Sequence, residues 1–184
     1  MKILDVGCGR NKTEGAVGID FVGSIGADLL HDLNTFPYPF ADNEFDKIIC
    51  KNVMEHLDNV VKVMEELHRI GKNGAEVYIQ TPHFSSLYSW QDPTHKHHFA
   101  RDSFDYFTED TGHSNFYSNV RFKVIEKRIV FGKSIISIIP RLLYRLSARL
   151  YEKHFTFIFP ANDLRFRLSV VRDSTQGDSG ENSR

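Results

Sequence analysis

The segment "TPHFSSLYSWQDPTHKHHFARDSF", residues 81–104, holds four histidines together with Tyr88, Trp90 and Asp92. Histidine exchanges a proton near neutral pH, and a carboxylate beside it can orient the ring, so these residue types suit general acid–base chemistry. His83 is the first candidate for a base, with His95 and Asp92 next. His83, Asp92, His95 and His97 are also of metal-ligand type, but no short paired spacing among them fixes a coordination geometry, and no metal is assigned. The plainer alternative is an aromatic, histidine-rich loop that only packs over a sheet.

A second stretch, "ILDVGCGRNKTEGAVGID" at residues 3–20, pairs a glycine turn with an acid. Gly7 and Gly9 let the backbone turn sharply and approach a ligand where a side chain would collide. A dinucleotide fingerprint needs a third glycine, a helix facing the pyrophosphate, and an acid about 20 residues further on. Here Asn11 stands at the third position and Asp20 follows Asp5 too soon for a full crossover helix. That spacing argues against a nicotinamide oxidoreductase and for a ligand that has a ribose but no pyrophosphate.

The elements that must position these residues follow from hydrophobic periodicity. Apolar runs predict strands at 2–6, 16–21 and 27–33, then a loop at 34–45 containing two prolines, and a fourth strand "FDKIICK". Val53, Leu57, Val60, Val61, Met64, Leu67 and His68 recur at helical steps, with Asp58 as the expected cap and Gly71 or Gly74 as the stop. "AEVYIQTP" is a fifth strand. Such alternation predicts a parallel α/β sheet, whose ligands sit beyond the carboxyl ends of the strands. Those ends are residues 7–10, Asp20, Asp32, 51–52 and 81–83.

Further along, a helix is expected after Asp102, ending at Gly112, and a strand at 120–131. An apolar and basic excursion at 133–160 places Arg141, Arg145, Arg149 and Lys153 at steps of four on a helix after Pro140. "DLRFRLSVV" alternates as a last strand, forming an antiparallel hairpin with its predecessor at the sheet edge. The chain thus reads as one domain over 1–172, with the 133–160 excursion between its last two strands and a polar tail at 173–184 expected to be disordered.

Composition sets the outer bounds. Of 184 residues, 41% are hydrophobic and 26% charged, which suits one core of ordinary size. With 24 acidic against 23 basic residues, the whole molecule has no electrostatic reason to seek nucleic acid. Two cysteines make no disulfide framework, and neither a signal peptide nor a membrane-crossing run is read, so a reducing cytoplasm is the expected setting.

At "LDVGCG", "GID" and "HDLNTFPYPFADNEFDKIICKNVMEHL" the chain resembles the class I S-adenosylmethionine-dependent methyltransferases, in particular the small type 11 group. The last stretch is the most specific, since acid, proline-rich loop, Phe-Asp, apolar strand and Glu-His-Leu occur in register. The resemblance implies a Rossmann-like seven-stranded sheet, mostly parallel with an antiparallel last strand, and S-adenosyl-L-methionine as cofactor. It also implies that Gly7 and Gly9 pass under the cofactor, that Asp5 supports the loop, and that Asp20 meets the ribose hydroxyls. Asp32 and the Leu33 backbone would meet the adenine amino group, Phe21 and Leu33 would flank the ring, and Lys51 and Asn52 would lie by the methionine portion.

The expected reaction is methyl transfer to an oxygen or nitrogen acceptor, with a sugar or cell-surface glycan precursor as the acceptor class the resemblance favours. Family members carry a helix ahead of the first strand, whereas this chain begins at the strand, so either another segment supplies a lid or the start is truncated. That departure keeps open a non-catalytic cofactor-binding partner subunit as the alternative. Glu55 and His56 read as residues that begin a helix, and "PRLLYRLSARLYEKHF" as a segment for membrane-surface contact through 140–155 or as a cover over the site.

Overall fold

The computed structural model describes residues 1–23, 26–108 and 117–172. Seven strands form one sheet: β1 (Ile3–Val6), β2 (Val17–Asp20), β3 (Leu29–Leu30), β4 (Phe45–Lys51), β5 (Gly71–Pro82), β6 (Arg121–Val130) and β7 (Asp163–Val171). Their order is β3-β2-β1-β4-β5-β7-β6. The first five run parallel, and β7 enters antiparallel between β5 and β6. The last two strands therefore form the expected antiparallel pair, with β6 rather than β7 at the edge.

Register explains why this order is stable. Val17, Leu4, Ile48, Val77, Leu168 and Val124 are successive Cα partners and make one apolar row across six strands. Leu4, Ile48, Val77 and Leu168 are completely buried. Each contributes about 1.5–3 kcal/mol by leaving water, so a slip of one residue would turn the whole row outward.

Helix α1 (Val60–Ile70) crosses from β4 to β5 and buries Val63, Met64, Leu67 and Ile70 against the sheet. Its cap is Asn59, whose Oδ1 accepts the Lys62 N–H at 3.0 Å, and not Asp58. The Asp58 carboxylate is taken by Lys96 instead. Gly71 ends α1 and opens β5 at once, because a Cβ there would meet Leu67 O at 2.9 Å and Val170 Cγ2 at 3.0 Å. β1 and β2 are joined by residues 7–16 with no helix between them, as the short spacing requires.

Three expectations are corrected. β3 is only Leu29–Leu30, since beyond the bonds that Asp28 and His31 N–H make to Gly18 O and Asp20 O the chain turns at Asp32. The helix after Asp102 is a 3₁₀ turn, Asp105–Phe107, in the described residues. There the Ser103 hydroxyl accepts the Ala100 N–H and Thr108 Oγ1 donates to Asp105 O, local bonds that compete with an α-helix. Gly112 and the tail at 173–184 lie outside the described residues. The excursion holds two helices rather than one, α3 (Ile138–Leu146) and α4 (Ala148–His154), following a 3₁₀ turn at Ile135–Ser137. α3 begins before Pro140, which sits in its first turn where a missing N–H costs nothing, and Ser147 breaks the run by capping α4 through the Leu150 N–H. Among the described residues no helix is long and apolar enough to cross a membrane.

Candidate active site

The parallel strands deliver the glycine turn, Asp20, Asp32 and Asn52 to one rim. Asp20 is 6% exposed, and its carboxylate is held from both sides: Oδ2 accepts the Gly9 N–H at 2.8 Å and Oδ1 the Val22 N–H at 3.0 Å. Each oxygen keeps a second lone pair, which is what two vicinal hydroxyls require. Asp5 Oδ2 accepts the Thr13 N–H at 2.6 Å and so pins the far side of the loop without lining the cavity.

The two glycines serve different ends. Gly7 has φ +64°, and a Cβ there would lie 2.4 Å from Val53 Cγ2, so packing against the next layer demands it. Gly9 has φ +51°, and no atom stands within 4 Å of where its Cβ would lie, so the space beside it is open. Gly7, Asp20, Phe21, Asp32, Leu33 and Asn52 wall a cavity of about 720 Å³, a size that suits a nucleoside-bearing cofactor. Phe21 is 71% exposed and Leu33 buried, giving the slot an open apolar wall and a closed one. Asp32 also caps its own turn, since Oδ1 accepts the Asn34 N–H at 2.9 Å. Lys51 Nζ reaches Thr13 Oγ1 at 3.2 Å.

Asn52 follows β4 in the left-handed region, at φ +50°, and its N–H is held by Gln80 O at 2.8 Å. A non-glycine residue in that conformation is concentrated at ligand sites. Here Asn52, His56 and Pro93 belong to the walls of two cavities, the one just described and a second of about 720 Å³ bounded by Glu55, Gln80, Tyr88, Asp92, His95 and Asp163.

The second cavity gathers the titratable groups. A 3₁₀ turn at Met54–His56 carries Glu55 and His56, and Glu55 O accepts the N–H groups of Lys96 and His97, which seats the histidine loop over the end of β4. His95 thereby meets His56 ring to ring at 4.6 Å. Its Nδ1 faces Ser89 O at 3.1 Å, and its Nε2 lies 4.0 Å from Asp92 Oδ2. Thr94 Oγ1 stands 2.9 Å from His56 Nδ1 and donates to Asp92 Oδ1 at 2.6 Å. Burial pushes the Glu55 carboxyl up and the His56 imidazole down, while the Thr94 hydrogen bonds hold Asp92 low.

The loop histidines divide. His83 does not reach the cavity: its side chain is fully buried, Nδ1 meets Ser85 Oγ at 2.8 Å and Nε2 meets Glu152 Oε1 at 3.1 Å. Both ring nitrogens being spent, it ties β5 to α4 and cannot accept a proton from a substrate. His98 bonds Ser89 Oγ and stacks on Trp90 at 3.7 Å, and His97 lies on a different surface depression. Glu55 and His56, read from sequence as helix-starting residues, stand beside His95 instead. Their position directly after β4, at the ligand rim, is the signal that could have singled them out.

The comparisons bear on the fold and on the stretch from β3 to β5. A family profile described as "Methyltransferase domain" matches residues 27–79, from just before β3 into β5. An uncharacterized protein of Methanocaldococcus jannaschii is 38% identical over 61 residues, a stretch that covers 33% of this chain and 24% of that protein, so the match spans about a quarter of the relative's length. A SAM-dependent methyltransferase from Archaeoglobus fulgidus superposes with a TM-score of 0.57 at 17% identity, covering 91% of this chain and 85% of the other. An S-adenosylmethionine-dependent methyltransferase from Mesorhizobium loti gives 0.58 at 12%, covering 91% and 90%. The strand order and these superpositions give the chain the fold of the class I S-adenosylmethionine-dependent methyltransferases, and the methyltransferase-domain profile matches it through the β4 region.

Proposed function

We propose that the chain is a methyltransferase acting on an oxygen or nitrogen acceptor, and that the acceptor is a sugar or cell-surface glycan precursor. The observation that carries the reading is the meeting of two cavities at Asn52, His56 and Pro93, one holding the ribose-type acid and the other the titratable cluster. When bound, S-adenosylmethionine supplies an electrophilic methyl group on a sulfonium. The residues of the chain then have to align the nucleophile and keep water out. Asp20 orients the ribose, Phe21 and Leu33 hold the base, and Asn52 sits where the methyl-bearing end would cross into the second cavity.

The lining of the second cavity supports a polyhydroxylated acceptor. Gln80, Gln91, Asp92 and Asp163 offer amide and carboxylate partners for hydroxyls, and Tyr88 adds an aromatic face. His95 and Asp92 are the candidates to take a proton from it, with His83 excluded by burial.

The 133–160 excursion supports a membrane-surface setting on the cytoplasmic side. Ile135, Ile139, Leu142, Leu146, Phe157 and Ile158 are exposed together on a segment that also carries Arg141, Arg145, Arg149 and Lys153. That pairing of apolar side chains and cations fits an anionic lipid surface presenting lipid-linked acceptors. The test is transfer of a labelled methyl group from S-adenosylmethionine to separated nucleotide-sugar and lipid-linked glycan fractions. Label in either fraction is expected, and label in neither, with transfer to some other acceptor class, would contradict the glycan assignment.

A further inference from the structure

We propose that Glu55, His56 and His95 bind one divalent transition-metal ion at the junction of the two cavities. One carboxylate oxygen of Glu55 and one ring nitrogen of each histidine already lie within 4.8 Å of one another. In a site with bonds of about 2.0–2.2 Å the ligand atoms stand roughly 3.3–3.5 Å apart, so small side-chain rotations bring the three together. Glu55 is 1% exposed, and its Oε1 is buried with no hydrogen-bond partner among the described residues. A buried carboxylate oxygen without a partner is costly, and a cation is what would satisfy it.

Outer contacts orient all three groups as metal sites require. Glu55 Oε2 is occupied by the Thr81 hydroxyl, leaving Oε1 as the free oxygen. His95 Nδ1–H is directed at Ser89 O, which fixes the tautomer whose Nε2 carries a lone pair. His56 Nδ1 is engaged by Thr94 Oγ1, and Thr94 in turn donates to Asp92, so His56 also offers Nε2. Two imidazoles and one carboxylate suit zinc, iron and related ions, and leave coordination positions open. All three residues line the cavity assigned above to the acceptor. On that reading of the cavity, a bound cation would hold an acceptor oxygen and acidify its hydroxyl, the proton passing to Asp92, since His95 as a ligand has no lone pair left to take it.

Histidines 83 and 97, which the sequence offered as ligands, take no part. The pair that replaces them comes from the 3₁₀ turn after β4 and is joined to His95 by the hydrogen bonds at Glu55 O.

The test is calorimetric titration of chelator-treated full-length protein with Zn²⁺ and, in parallel, Co²⁺ followed by visible absorption. One equivalent is expected to bind, with Co²⁺ bands of nitrogen–oxygen ligation. His95→Gln and Glu55→Gln are expected to weaken binding at least tenfold, and Thr94→Val, which removes only an orienting hydroxyl, by about tenfold or more. S-adenosylhomocysteine binding, measured on the same samples, reports separately on the cofactor cavity and on folding. Absence of saturable Zn²⁺ and Co²⁺ binding in the parent, or affinity unchanged in variants that still bind S-adenosylhomocysteine, would overturn the proposal. Metal binding without any S-adenosylhomocysteine binding would instead sink the cofactor assignment and leave the metal site standing.

Discussion

Asp20 Oδ2 accepts the backbone N–H of Gly9 at 2.8 Å, so the acid ending β2 and the turn following β1 are locked into one rim. Gly9 needs its left-handed backbone for that bond, yet no protein atom stands where its Cβ would go. In Gly9→Ala the conformational cost is about 1–2 kcal/mol, which leaves the protein folded. Cofactor affinity is expected to fall by tenfold or more, because the strained turn no longer holds the Gly9 N–H on Asp20 and so loosens the acid assigned to the ribose. Thermal melting and S-adenosylhomocysteine titration of the variant, run together, separate the two effects.

Gly7→Ala is predicted to fail for a different reason. Its Cβ would lie 2.4 Å from Val53 Cγ2, inside a layer that cannot shift freely. Overpacking and the left-handed backbone together are expected to cost about 2–5 kcal/mol. Adding Val53→Ala removes the clash but not the backbone cost, so the double variant should melt above Gly7→Ala and below the parent.

The apolar and basic face of the excursion predicts binding to anionic vesicles. Flotation with phosphatidylglycerol-containing liposomes is expected to carry the protein upward, and neutral liposomes much less. Leu142→Glu with Phe157→Glu, both at exposed positions, should abolish flotation without changing the melting temperature. Equal behaviour of parent and double variant would rule out this face as the contact.

His68 gives the fold a pH dependence. Its Nε2 lies 2.9 Å from Val171 O and its ring packs edge-on against Phe122, joining α1 to the end of β7. Burial, with Arg172 and Arg121 nearby, lowers its affinity for a proton below the ordinary imidazole value. The unfolded chain therefore takes up the proton first as pH falls through about 6.5, and stability declines from there toward the lower native value. Urea unfolding between about pH 7.5 and 5.5 should show a shallower decline in His68→Gln than in the parent.

How far these features can be read from sequence depends on how local their causes are. β4 and β7 have the bounds that "FDKIICK" and "DLRFRLSVV" announce, since an uninterrupted apolar run and a strict alternation are set by neighbours in the chain. β3 reads too long because "ADLLHDL" satisfies a strand pattern throughout, while only Leu29 and Leu30 find partners on β2. His83 lies at the end of a strand and so on the expected rim, but the direction of its ring is decided by Glu152, which is distant in sequence. The spacing 55, 56, 95 does not announce a cluster, and only the place of Glu55 and His56 just after β4 marks them as rim residues. The cause is tertiary: two N–H groups of the histidine loop closing on Glu55 O.

Everything proposed for the reaction rests on the rim formed by the glycine turn and Asp20 holding S-adenosylmethionine. Calorimetric titration of the parent and of Asp20→Ala with S-adenosylhomocysteine reads that contact itself. The geometry predicts one saturable site in the parent and a loss of about 10–100-fold or more in the variant, from the hydrogen bonds to a charged acceptor. No binding by the parent, or equal binding by both proteins, would refute the assignment of this rim to the cofactor.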